Sequence, residues 1–242
     1  MSDEQFLRAV TDALRDAGLH ASLLVRDLTD GRELAVEVEA VWPLASVAKL
    51  PLAVAVLLAI ERGDLDPAMP VRLEPRSSDF GTGTTRFRHR SLIAVEDLVA
   101  LALTISDNGA ADALLDLIGP SGVNAALDTL GITGLVIRRS FRDLAETPLE
   151  RLGSSEGHLA HALAIRGGTT ASSHPLPQLD TSRTNVGTAR AVSELLAAIW
   201  DGRSLPASVS GRLQTLLAAN LLRHRLSPDL SLIHISEPTR PY

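Results

Sequence analysis

The stretch PLASVAKL at residues 43–50 decides how the rest of the chain is read, with TISDNGAAD at 104–112 as its counterpart. In the first, Ser46 and Lys49 stand three residues apart where a long apolar run begins. If a helix starts near Ala45, that spacing puts both side chains on one face, with Cβ atoms about 5–6 Å apart. A neutral amine at that distance can accept a hydroxyl proton, and an ordinary serine needs such a base before it can act as a nucleophile. A lysine at its reference pKa of about 10.4 is neutral in only about one molecule in several thousand at pH 7, so the site has to lower it. Leu44, Val47, Leu50 and Leu52 supply an apolar setting for that. Ser46 would also sit at a helix N-terminus, where free N–H groups favour a developing oxyanion. The plainer reading is a surface serine and lysine near a helix start, because a four-residue S-x-x-K match arises often by chance.

Working outward, Lys49 is the only lysine among 23 basic residues; the other 22 are arginine. Arginine keeps its proton in a protein, whereas a desolvated lysine can lose it, so the single lysine asks for a reason. The chain has 242 residues and no cysteine, which excludes a disulfide scaffold, thiolate metal sites and a cysteine nucleophile. A formal net charge of −6 argues against a nucleic-acid partner, which usually demands a basic face. The first residues, MSDEQFLRAV, carry acids where a signal peptide carries bases. The longest apolar run, residues 50–60, is about half of what a spanning helix needs. Read as written, the chain is expected in the cytoplasm, without a membrane span, and as a monomer.

Around the two motifs, residues 4–17 place Phe6, Leu7, Val10 and Leu14 at helical spacing before Gly18. ASLLVRDL and ELAVEVEA flank Asp30-Gly31 as a β-hairpin. A helix is predicted within 43–62 and others over 95–105, 109–118, 123–130, 188–200 and 208–222, with a short helical piece near 156–165. The polar stretch 75–89, with GTGTT at 81–85, reads as a flexible loop, since no strand–helix frame makes its glycines a phosphate cradle. Residues 136–184 form a long irregular segment, a length that usually signals a functional or mobile loop. The final SLIHISEPTRPY continues no pattern. It resembles translated adapter or vector sequence and is expected to be foreign to the fold. Three parts follow: 1–40 with the first helix and hairpin, 41–230 carrying the motifs, and the tail 231–242.

In the second motif, Ser106 and Asn108 could relay a proton and hold a substrate carbonyl. Alternatively, Ser106-Asp107-Asn108 is a helix cap, for which all three residue types are favoured. The pair of motifs is more specific than either alone. With L-A-S-V-A-K and T-I-S-D-N-G-A-A-D sixty residues apart, the chain resembles the class A β-lactamase and penicillin-binding serine hydrolase superfamily, over about residues 4–230. The resemblance implies an α+β fold of β-lactamase/transpeptidase type, a helical domain beside an α/β domain. It implies Ser46 as the acylated nucleophile, Lys49 as its base, Ser106 as a proton shuttle and Asn108 as a substrate contact. The implied chemistry is β-lactam breakdown and antibiotic resistance, with no cofactor and no metal. The substrate would be a small molecule or peptidoglycan-like.

Two departures qualify this. The K-T-G motif of the family is absent, and with Lys49 the only lysine none is possible. Truncation of the C-terminal strands is the simpler expectation, leaving little activity in the chain as it stands; a complete but unusual protein is the other. The family's water-activating glutamate has one counterpart, Glu146 in Glu146-Thr-Pro-Leu149-Glu150, with Glu150 where asparagine is usual. The second carboxylate would raise the pKa of one of the two, which could suit or spoil a general base, and Glu146 is otherwise a solvated loop residue. Among the histidines, His158 and His161 lack a third ligand, and His224 lies between two arginines, so no metal site is expected. A serine acyl-transfer hydrolase is therefore expected. A D-Ala-D-Ala peptidase or esterase on the same scaffold, and an inert binding or regulatory domain, are the alternatives.

Overall fold

Ser2 opens the first helix, α1 (Asp3–Asp16), with its side chain accepting from the Gln5 backbone while the Gln5 side chain reaches back to the Ser2 N–H. That reciprocal pair satisfies two N–H groups the helix cannot satisfy itself. The computed structural model describes residues 2–75, 82–142, 174 and 178–221. After α1 comes the expected hairpin, β1 (Leu23–Arg26) antiparallel to β2 (Glu33–Val36), with Leu24 opposite Ala35 and Arg26 opposite Glu33. The second strand is shorter than its alternation suggests, because Glu37 adopts a left-handed φ of 46°.

The centre of the molecule is α2 (Lys49–Glu61), in which residues 49–57 and Ala59 are all buried. A helix apolar all round has no face to give to water, so it is packed on several sides. Around it lie α3 (Val95–Thr104), α4 (Asn108–Thr129) and, near the end of the described chain, α6 (Ala207–Ala218). Leu52, Leu98, Leu114 and Leu213 are among the large side chains that these four helices bury. The two helices predicted over 109–130 are one run with a break at Gly119, whose φ of 67° is followed by Pro120. Proline lacks the N–H that would have continued the ladder there.

The α/β part is assembled from both ends of the chain. Helix α5 (Ala189–Trp200) packs on β1 while α1 packs on β2. A small sheet joins β3 (Trp42–Pro43), β7 (Val186–Gly187) and β6 (Leu135–Val136), in the order β3–β7–β6 and antiparallel throughout. A further hairpin, β4 (Pro70–Leu73) with β5 (Ser91–Ala94), brackets the polar stretch read from sequence as one loop. No helix among the described residues is long and apolar enough to cross a membrane. The tail 231–242, the piece 156–165 and most of 136–184 lie outside the described residues.

Within the stretch read as a flexible loop, residues 83–86 are corrected by the structure. Gly83–Arg86 is a 3-10 turn with Thr84 and Thr85 buried, packed on the start of α4. Gly83 has a φ of 59°, and a Cβ there would lie 2.2 Å from Asp107 Oδ2. Its glycine serves close approach and a left-handed backbone rather than flexibility. Gly211, in the middle of α6, has open space around it. The two should respond oppositely to alanine. Gly211→Ala is expected to stabilise by about 0.5–1 kcal/mol through helix propensity, and Gly83→Ala to destabilise by about 2 kcal/mol or more through clash and backbone strain. Urea unfolding of both variants checks this; equal effects would contradict the packing described.

Candidate active site

Ser46 is reached through a backbone held by distant partners. Strand β3 is pinned by β7, and the Leu44 N–H donates to the Asn185 carbonyl at 2.9 Å. The chain then passes through Ala45 at a φ of 46° and enters a 3-10 turn, Ala45–Ala48, before α2 proper begins at Lys49. A left-handed alanine costs roughly 1 kcal/mol or more and persists only where surroundings impose it. The result is an exposed Ser46 on a sharp strand-to-helix turn, with Lys49 one turn further on and only 2 % exposed.

Lys49 spends its three N–H donors on three oxygens of the second motif. They are the Ser106 carbonyl at 2.5 Å, Ser106 Oγ at 2.9 Å and Asn108 Oδ1 at 2.6 Å. Ser106 Oγ in turn donates to Ser46 Oγ at 3.0 Å. Four of the five residues singled out in the sequence, all but Glu146, are thus brought together, in an order the i,i+3 spacing does not convey: Ser106 stands between the amine and Ser46. Ser106 itself is left-handed, with a φ of 57°, which directs its carbonyl and its hydroxyl at the same amine.

Asp107 shows why capping and site were not true alternatives. Fully buried, it caps α4 by accepting from Gly109 N at 2.9 Å and Ala110 N at 3.2 Å. It also accepts from Thr84 N at 2.6 Å and Thr84 Oγ1 at 2.8 Å. Cap and buttress together fix the turn on which Ser106 and Asn108 sit. Four residues sequence reading passed over complete the surroundings: Thr84, Asp112, Phe141 and Asn185. Asp112, buried in α4, accepts from Phe141 N at 2.6 Å and Arg142 N at 3.3 Å. The Phe141 ring lies 5.1 Å from Lys49 Nζ. Asn185 accepts from the N–H groups of Arg138 and Arg139 and donates to the Arg139 carbonyl. An aspartate inside the apolar run of α4 was the one available signal. Glu146, His158, His161 and His224 lie outside the described residues.

Burial pushes the Lys49 ammonium down to a pKa of about 8, against the opposing pull of the Asp107 and Asp112 charges. At pH 7 about a tenth of the molecules then carry a neutral amine, some 300-fold more than for an ordinary lysine. The same shift has a stability consequence. Lys49 binds its proton less tightly folded than unfolded, so between about pH 8 and 10.5 the unfolded chain holds more protons and stability rises with pH. Raising the pH from 7 to 10 should move the stability difference between parent and Lys49→Met by roughly 2–3 kcal/mol in the parent's favour. Paired denaturant titrations measure it; no change with pH would mean the amine is not desolvated.

The model of the beta-lactamase enzyme family matches residues 5–237. The beta-lactamase regulatory protein BlaB of Streptomyces cacaoi is 44 % identical over 244 residues, covering 96 % of this chain and 78 % of that protein. Among solved structures, an ancestral class A beta-lactamase superposes with a TM-score of 0.70 at 22 % identity, covering 93 % of this chain and 75 % of its own. A mutant of PBP-A, determined as its acyl-enzyme with penicillin G, gives 0.66 at 22 %, covering 91 % and 69 %. The beta-lactamase from Sphaerobacter thermophilus gives 0.64 at 20 %, covering 90 % and 70 %. The expected β-lactamase/transpeptidase-like fold is the observed one.

Proposed function

Because the chain belongs to the beta-lactamase enzyme family, we propose that Ser46 is a nucleophile acylated by a β-lactam or a related amide or ester. The observation that carries this reading is the unbroken path from Ser46 Oγ through Ser106 Oγ to the buried amine of Lys49. A neutral Lys49 takes a proton from Ser106 while Ser106 takes one from Ser46, and Ser46 Oγ adds to the substrate carbonyl carbon. The tetrahedral oxyanion develops beside the first N–H groups of the Ala45–Ala48 turn and α2. As it collapses, the carbon–nitrogen bond of an amide or lactam breaks. The proton on Lys49 returns through Ser106 to the leaving nitrogen, and an acyl-serine remains. Asn108 has its Oδ1 taken by Lys49, which leaves its NH2 end to donate to a substrate carbonyl.

A second reading is favoured by the 44 % identity to a protein named as a beta-lactamase regulator. Here the acyl-serine, or the bound ligand, is itself the output and is not turned over. The fate of the adduct separates the two. Benzylpenicillin should add one penicillin mass, located on the peptide containing Ser46 and lost in Ser46→Ala. Ser106→Ala should slow its formation by about 10²–10⁴-fold, the usual worth of a positioned proton carrier. Intact-mass spectrometry over time reads both. An adduct that decays as penicilloate is released supports the hydrolase, one that persists supports the regulator, and none on folded protein rejects acylation altogether.

A further inference from the structure

The proposed acylation asks only that Lys49 be neutral part of the time; it does not say what holds the amine at that balance. Two residues to which the sequence assigns no role, Asp112 at the end of the second stretch and Phe141 beyond it, join on each other and act on Lys49. Asp112 Oδ1 accepts from the N–H of Phe141 and of Arg142, so one buried carboxylate oxygen fixes the backbone that carries the Phe141 ring. That ring lies 5.1 Å from Lys49 Nζ, within the distance at which an ammonium is drawn to an aromatic face. Phe141 is itself 4 % exposed. The ring is thus a cover that keeps water off the amine and a weak attractor of its charged form at once.

We propose that Asp112 and Phe141 are a positioning pair that seats Lys49: the ring keeps the amine dry, and the carboxylate both anchors the ring and supplies a countercharge that stops the amine from shedding its proton outright. Neither residue touches the reacting atoms. Both act through Lys49, and the inference rests on the acyl-transfer reading only for its effect on reaction rate.

The charged groups on the elements around α2 are few. Helix α4 offers Asp107, Asp112, Asp116 and Asp128; α3 offers Glu96 and Asp97; α6 offers Arg212, paired with Glu96 at 2.9 Å. Asp107 and Asp112 are the two whose charges act on Lys49. Asp107 is committed to the α4 cap and to Thr84. Asp112 is the carboxylate that can be neutralised with least structural damage. Asparagine keeps an acceptor for the Phe141 and Arg142 N–H groups. Arg142, whose Nε lies 3.8 Å from Asp112 Oδ2, has a half-exposed side chain that can turn to solvent.

The chain's single lysine makes the seat directly measurable. Protein labelled with ¹³C at the lysine ε position gives one side-chain lysine signal, whose titration by NMR needs no substrate and no assignment. Parent, Asp112→Asn, Phe141→Ala and Phe141→Leu are compared. Loss of the countercharge should lower the midpoint in Asp112→Asn by at least half a unit. Opening the cover in Phe141→Ala admits water and should raise it by at least half a unit. Phe141→Leu keeps the cover but removes the ring's attraction, so its midpoint falls, and it carries the test alone if the alanine variant does not fold. Midpoints that stay at the parent value in the folded variants, or move in the opposite sense, overturn the seat. The acid limb of Ser46 acylation should shift with each midpoint. If midpoints move as stated and no acylation occurs, the seat stands and the acyl-transfer reading fails. If acylation occurs and the lysine titration does not move, the seat fails alone.

Discussion

An amine buried at the start of an apolar helix is the constraint around which this protein is arranged. Removing an ammonium from water is costly, and the cost is met only by charges and acceptors placed at short range. Lys49 has three oxygen acceptors within 2.9 Å and two carboxylates acting through space, and still titrates near pH 8. It is neither a stable ion pair nor a neutral passenger. The apolar residues that follow it in α2 drive the core together, and that same core is what dries the amine.

Holding such a balance requires backbone in unfavourable conformations. Ala45 and Ser106, two of the three non-glycine residues with positive φ among those described, lie on either side of the amine. Each costs about 1–3 kcal/mol and is tolerated only where neighbours impose it. The neighbours are visible: Asn185 and β7 fix the approach to Ala45, while Asp107, Thr84 and the close-packed Gly83 fix the turn at Ser106. Strain at the candidate site is thus borne by hydrogen bonds formed outside it.

Much of this was legible in the sequence where physics acts locally. S-x-x-K and S-D-N, the Asp30-Gly31 hairpin and the helical periods are all short-range signals, and the structure contains those that fall among the described residues. What was missed depends on partners far along the chain. Strands β3 and β7 are two residues long and owe their existence to one another across more than 140 positions. The i,i+3 spacing suggested a direct approach of Lys49 to Ser46, whereas the left-handed turn at Ser106 interposes its hydroxyl. Phe141 carries no motif; it matters because Asp112 captures its backbone from another helix. Gly83 looked like freedom because its constraint, the Asp107 carboxylate, comes from 24 residues further along the chain.

The whole arrangement comes down to whether one buried amine accepts the serine proton. The direct measurement is the pH dependence of the rate constant for acylation of Ser46 by benzylpenicillin in the parent protein. Proton acceptance by Lys49 predicts a rate that rises about tenfold per pH unit below a midpoint near 8 and levels off above it. A rate flat across that range, or one still climbing toward the pKa of an ordinary lysine, would contradict it.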